Sequence, residues 1–227
     1  MENINLVERD FPYDIIEQIN TLRTNVQFSG ANNKVILVTS CLQHEGKSSV
    51  ALELATSLSE LDKNVLYIDA DLRASLFMSK IVGKKPTWGL SHLLSGQAKL
   101  SEIIYRTNRR GLYAISSGPI PPNSTVLFSS NVFASSIADL RKIYEYIIID
   151  TAPLGMVVDA SIIARSCDAS ILVIKSGDNK YKFVKKVKEE LENTGCPIIG
   201  VVLNRVKINK SSPYYGKYYG GYGNSEE

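Results

Sequence analysis

Residues 38–49 read VTSCLQHEGKSS. An apolar run, KVILVTS (34–40), leads into them, and a helical stretch, 47–61, leads out. Gly46-Lys47-Ser48 matches the end of the phosphate-binding pattern G-x-x-x-x-G-K-[ST]. In a strand–loop–helix unit of this kind, loop N–H groups and the positive end of a helix meet an anion. The lysine reaches the β- and γ-phosphates, and the Ser48 hydroxyl ligates Mg²⁺. The contact set expected for the phosphates is Glu45, Gly46, Lys47, Ser48 and Ser49. Cys41 stands at the pattern's first glycine, and His44 holds a second position where glycine is expected. On the motif alone, a chance GKS at a helix start stays open.

Further apolar runs of strand length follow: NVLYIDA (64–70), GLYAISS (111–117), EYIIID (145–150), DASILVIK (168–175) and CPIIGVVLN (196–204). Most are apolar throughout, the mark of strands covered on both faces in a parallel sheet. Helical stretches at 132–144 and 180–193 alternate with them, and 74–110 is more irregular. The expected fold is α/β: a doubly wound, mostly parallel sheet with helices on both faces, of the P-loop NTPase type. Asp69 and Asp71 end one strand and Asp150 ends another. Ligands of open α/β sheets bind beyond the carboxyl ends of the strands, so the three acids face the phosphate loop and suit Mg²⁺. Each aspartate taken singly reads as a turn or helix cap.

The 227 residues fit one domain. A net charge of +3, from 26 basic and 23 acidic residues, is too balanced for nucleic acid as a whole-protein partner. Three cysteines without metal-ligand spacing fit a reduced, cytoplasmic chain. No apolar run nears the ~20 residues a membrane span needs. Residues 1–10 read as a flexible arm, 11–210 as a single domain opening with a helix at 12–28, and 211–227 as a flexible tail. In the first helix, Ile15, Ile19, Leu22 and Val26 form one apolar stripe.

The run VTS…EGKSS, VLYIDADLR, GLSHLLSG, GLYAISSGPIPPNS, YEYIIIDTAP, VDA, GVVLNRV, taken in order, resembles the bacterial tyrosine kinases (BY-kinases). More narrowly, it resembles the kinase subunit of the Firmicutes type that serves capsule and exopolysaccharide synthesis. The likeness covers roughly 10–208 and the tyrosine-rich end. It implies that Lys47 and Ser48 fill the Walker A roles, that Asp69 and Asp71 form the family's second motif (Walker A′), and that Asp150 is the Walker B acid. Asp71 is the candidate to take the proton of an incoming tyrosine, and Ser48, Asp69 and Asp150 the candidate Mg²⁺ set. Asn204 would meet the base of ATP, with Arg205 closing the pocket. The family usually carries Pro-Gly where this chain has Gln43-His44. The implied activity is an ATP- and Mg²⁺-dependent protein-tyrosine kinase, with further protein substrates open. The implied partner is a membrane-spanning activator whose cytoplasmic segment completes the site and recruits the chain to the inner face of the plasma membrane.

The end of the chain, PYYGKYYGGYG (213–223), holds five tyrosines among glycines. Tyr214, Tyr215, Tyr218, Tyr219 and Tyr222 share no helical or strand period, and glycine lets such a segment thread into a cleft. They read as phosphoacceptors. EQINTLRTNV resembles the family's oligomerisation motif, with Glu17 and Arg23 matching and Asn20 replacing an arginine. The family uses it to form a homo-oligomeric ring that places each tail in the next subunit's site. A helix packed on its own domain reads equally from the apolar stripe. The alternative function is a partition- or division-site Walker ATPase that switches oligomerisation by hydrolysis. Such ATPases carry a second lysine early in the loop, which CLQHE (41–45) lacks, and have no use for terminal tyrosines.

Overall fold

The computed structural model describes residues 1–206; the tyrosines at 214, 215, 218, 219 and 222 lie outside the described residues. Nine strands form one sheet: β1 (Glu2–Leu6), β2 (Val35–Ser40), β3 (Val65–Ala70), β4 (Ile81–Val82), β5 (Tyr105–Thr107), β6 (Leu112–Ile115), β7 (Tyr146–Thr151), β8 (Ala169–Lys175) and β9 (Ile198–Asn204). Their order across the sheet is β4-β1-β5-β6-β3-β7-β2-β8-β9. From β6 to β9 every pairing is parallel; β5 runs against β6, and β4 against β1.

Burial on both faces explains the unbroken apolar strands. Along β2, Ile36 and Val38 pack beneath α1 (Tyr13–Phe28) and α2 (Lys47–Ser59), while Val35 and Leu37 face the opposite core. That second core takes side chains from α3 (Leu90–Leu94), α4 (Ser124–Phe128), α5 (Asn131–Leu140), α6 (Asp159–Ala164) and α7 (Tyr181–Glu192). Such two-sided burial favours a parallel sheet whose crossovers are helices.

Residues 1–10, expected as a flexible arm, contain β1. Ile4 and Leu6 are 3% exposed and enter the core, while Glu2, Asn3 and Asn5 point outward. The acidic opening of the chain hides this two-residue alternation. The strand is parallel to β5 and antiparallel to β4, and the Val7 N–H donates to the Lys80 carbonyl at 2.9 Å. In α1, Val26 is buried, Ile19 and Leu22 are half-buried, and Ile15 is exposed. The irregular stretch holds a 3-10 turn, Phe77–Lys80, a second at Leu100–Glu102, and the short elements β4, α3 and β5.

Candidate active site

The loop between β2 and α2 turns on Gly46, whose φ of 94° is left-handed. A Cβ there would lie 2.1 Å from Asn204 Nδ2, so only glycine fits. His44 also takes a positive φ, 63°, and here an L-residue carries the strain that glycine would avoid. Cys41 does not adopt a positive φ, so the first glycine of the pattern is not needed. Its thiol is fully buried, and burial together with Glu45 pushes its pKa up to about 12, leaving it inert.

Lys47 opens α2 and folds back onto the strand ends. Its ammonium donates to Asp71 Oδ2 at 2.9 Å and to Ser48 Oγ at 3.2 Å, and lies 3.6 Å from Asp150 Oδ1. The parallel register of β3 and β7 sets Asp69 beside Asp150, which is why two acids from distant stretches converge. Burial pulls the Lys47 pKa down, but Asp150 and Asp71 outweigh it and hold the value above the ordinary lysine value. Asp69 is the reverse case. Burial, and then the Asp150 charge, push it up to about 7, against the hydroxyl of Ser75, which donates to its Oδ2. Asp150 is also raised, by burial, while Lys47 and the Ser48 and Tyr67 hydroxyls act against the shift. The Tyr67 phenol, wholly buried, donates to Asp150 Oδ2 at 3.0 Å.

The remaining expected residues fall around this centre. The Glu45 carboxylate accepts from the N–H of Leu42 (2.7 Å), the N–H of Lys175 (3.1 Å) and the Asn179 amide, so it braces the loop against the end of β8. Only its main chain is left for phosphate. Asn204 Nδ2 donates to the Glu45 carbonyl at 2.8 Å, and its Oδ1 accepts from the Arg205 N–H. Arg205 is exposed, at φ 55°. Ser49 is half-buried in the first turn of α2. Glu17 accepts from Asn20, and Arg23 donates to the Ser57 carbonyl at 3.1 Å and lies 3.6 Å from Glu60, both on its own domain.

Four partners escaped the sequence reading: Tyr67, Ser75, Arg73 and Lys80. Arg73 grips Asp159 through two bonds, 2.7 and 3.0 Å, and Ser124 and Thr125 donate to the same buried carboxylate. These bonds draw the Asp159 pKa below the usual carboxylate value against the effect of burial. The signal was present for Asp159, since VDA belongs to the run of motifs. A tyrosine inside an apolar strand reads as packing, and nothing near Lys80 marks it.

Among the described residues, no group of three or more Asp, Glu, His and Cys side chains gathers as a metal cage. Mg²⁺ keeps several waters and needs few protein ligands. Asp150 Oδ1, buried and without a hydrogen-bond partner among the described residues, lies beside Lys47 and the Ser48 hydroxyl, and this donor set fits the ion.

The AAA domain family model matches residues 33–194. The chain is 43% identical over 207 residues to the tyrosine-protein kinase CpsD of Streptococcus agalactiae, covering 91% of this chain and 89% of that one. The chain belongs to the BY-kinases of the Firmicutes capsule type. Solved structures agree. The chimerical protein CapA2B2 superposes with a TM-score of 0.81 at 30% identity, covering 90% of this chain and 94% of that chain. The kinase domain of Escherichia coli tyrosine kinase ETK gives 0.78 at 30%, covering 88% and 80%. The enzyme is thus a protein-tyrosine kinase on a nucleotide-binding P-loop fold. No helix among the described residues is long and apolar enough to cross a membrane.

Proposed function

We propose that this kinase transfers the γ-phosphoryl group of Mg²⁺-bound ATP to the tyrosines at 214, 215, 218, 219 and 222 of a neighbouring copy, and thereby regulates capsule or exopolysaccharide synthesis and export. The observation that carries the reading is the close meeting of Lys47 with Asp71 and Asp150 at the mouth of the phosphate loop.

Lys47 in this arrangement caps Asp71. Phosphates entering the loop compete for the ammonium and draw it from the carboxylate. Asp71 is then free to accept the proton of a tyrosine hydroxyl as its oxygen bonds to phosphorus and ADP leaves. The positive charge of Lys47 and the amides at the start of α2 offset the charge on the transferred group. Ser48 and Asp150, with Asp69 beside Asp150 in register, would hold Mg²⁺, which would supply charge neutralisation at the phosphates. Asn204, bonded to the loop through the Glu45 carbonyl, and Arg205 are assigned to the base of ATP. A membrane-spanning activator supplies the cytoplasmic segment that completes the pocket and brings the chain to the membrane.

Delivery between copies is supported by the exposed apolar residues Tyr13, Ile15, Ile16 and Phe28 on α1, which suit a homo-oligomeric ring. Five phosphotyrosines add roughly −7.5 to −10 of charge, enough to reverse the +3 of the chain and to drive the tails from the acidic site. The test mixes a Lys47→Met chain carrying intact tyrosines with an active chain whose five tail tyrosines are phenylalanine. Phosphate on the Lys47→Met tail is expected; phosphate on neither chain, while the unaltered chain is labelled alone, would rule out transfer between copies.

A further inference from the structure

Beside the first turn of α2 lies a second lysine that the proposed chemistry does not use. Lys80 ends the 3-10 turn before β4 and is 7% exposed. Its ammonium donates to the main-chain carbonyl of Ser48 at 2.9 Å. Helix geometry already supplies that carbonyl with a donor, the N–H four residues on, so the contact satisfies no unmet group.

The placement is unfavourable on two counts. An ammonium withdrawn from water loses hydration that one hydrogen bond does not restore. It also sits at the first turn of α2, the end of a helix whose dipole repels cations. Burial and the nearby Arg9 lower its pKa to about 8, with Asp150, Glu53 and Asp69 acting against that shift. Glu53, on α2, is itself buried; Arg9 lies 3.8 Å from it, and its Oε1 accepts no hydrogen bond. This pocket of charge would be replaced at a gain in stability by apolar side chains if fold stability were its only use. A polyanion bound at the same helix end would offset it.

We propose that Lys80 is a positioning residue for nucleotide phosphates: it clamps the first turn of α2 to the β1–β4 edge of the sheet and places a second buried positive charge beside that turn. The lysine end of the clamp is fixed to β1, since the Lys80 carbonyl accepts from Val7 and the neighbouring Ile81 pairs with Leu6. The first strand of the chain thereby acts on the geometry of the phosphate site. Lys80 acts through Ser48, whose hydroxyl accepts from the Lys47 ammonium at 3.2 Å.

The inference rests on the reading of the loop as an ATP site, and calorimetric titration separates the two. ATP with Mg²⁺ is titrated at pH 7 into the full chain and into Lys80→Met, each with the cytoplasmic segment of the activator present. If the unaltered chain takes up no ATP, the functional reading fails before the inference is reached. If it binds, Lys80→Met is expected to weaken Kd about tenfold, as for loss of a buried charge-assisted contact, with the number of sites per chain unchanged. A merely structural role would lower the number of competent sites and leave Kd alone. A change in Kd below threefold, or a loss confined to stoichiometry, overturns the proposal. Should Lys80→Met fail to fold, Lys80→Gln, which keeps an N–H donor, is titrated against the same criteria.

Discussion

Gly46 carries the narrowest constraint in the molecule. Its backbone is left-handed, and a methyl group would press on the Asn204 amide, which is itself bonded to the loop. Gly46→Ala is expected to lower stability by about 2 kcal/mol and to abolish ATP binding, read by urea unfolding and by titration. Asp69 offers a second handle, free of nucleotide and Mg²⁺. Its folded pKa of about 7 lies above the ordinary value of 3.8. Between those limits the folded chain holds a proton that the unfolded chain has released, so this group makes stability fall as pH rises. Asp69→Asn removes the effect. Its advantage over the unaltered chain in urea midpoint is expected to grow from pH 5 to pH 8 and then level off; a gap independent of pH would contradict the shift. Lys47, Ser48, Asp71 and Asp150 were legible in the sequence because the motif fixes one side and strand ends fix the other. Lys80 and Tyr67 were not, because their significance arises only when the turn before β4 and the strand β3 fold against the loop and β7. The motif puts Glu45 in the loop but does not reveal that its carboxylate braces the end of β8 and Asn179.

Strands and helices were read well wherever burial on both faces erased alternation, as in β2, β3, β7 and β8. β1 was missed because five residues with two buried side chains carry almost no pattern, and its partners β4 and β5 are shorter still. The structure makes the cost of losing it concrete. Leu6→Ala is expected to destabilise the chain by about 2–4 kcal/mol, measured by chemical denaturation, where a loose arm would give a change near zero. Helix α1 was legible from its period, but its use was not. Arg23, read as a contact between subunits, is bound here to Ser57 and close to Glu60 of its own domain.

At the scale of the whole molecule, two cores flank one sheet, and the site lies where β2, β3 and β7 end. The doubly wound architecture was accessible from the alternation of strand-like and helical stretches, which leaves few other layer arrangements. The antiparallel edge strands were not, since edge pairing depends on contacts between short segments far apart in sequence. The kinase function gathers the parts into one claim: a phenol from the end of the chain attacks a nucleotide held between Lys47 and the strand-end acids. The most direct measurement is intact mass with peptide mapping after incubation with Mg²⁺ and ATP, in the presence of the cytoplasmic segment of the activator. Successive additions of phosphate within residues 213–223, abolished by Lys47→Met, are the predicted result; release of inorganic phosphate with no gain in mass on those tyrosines would contradict it.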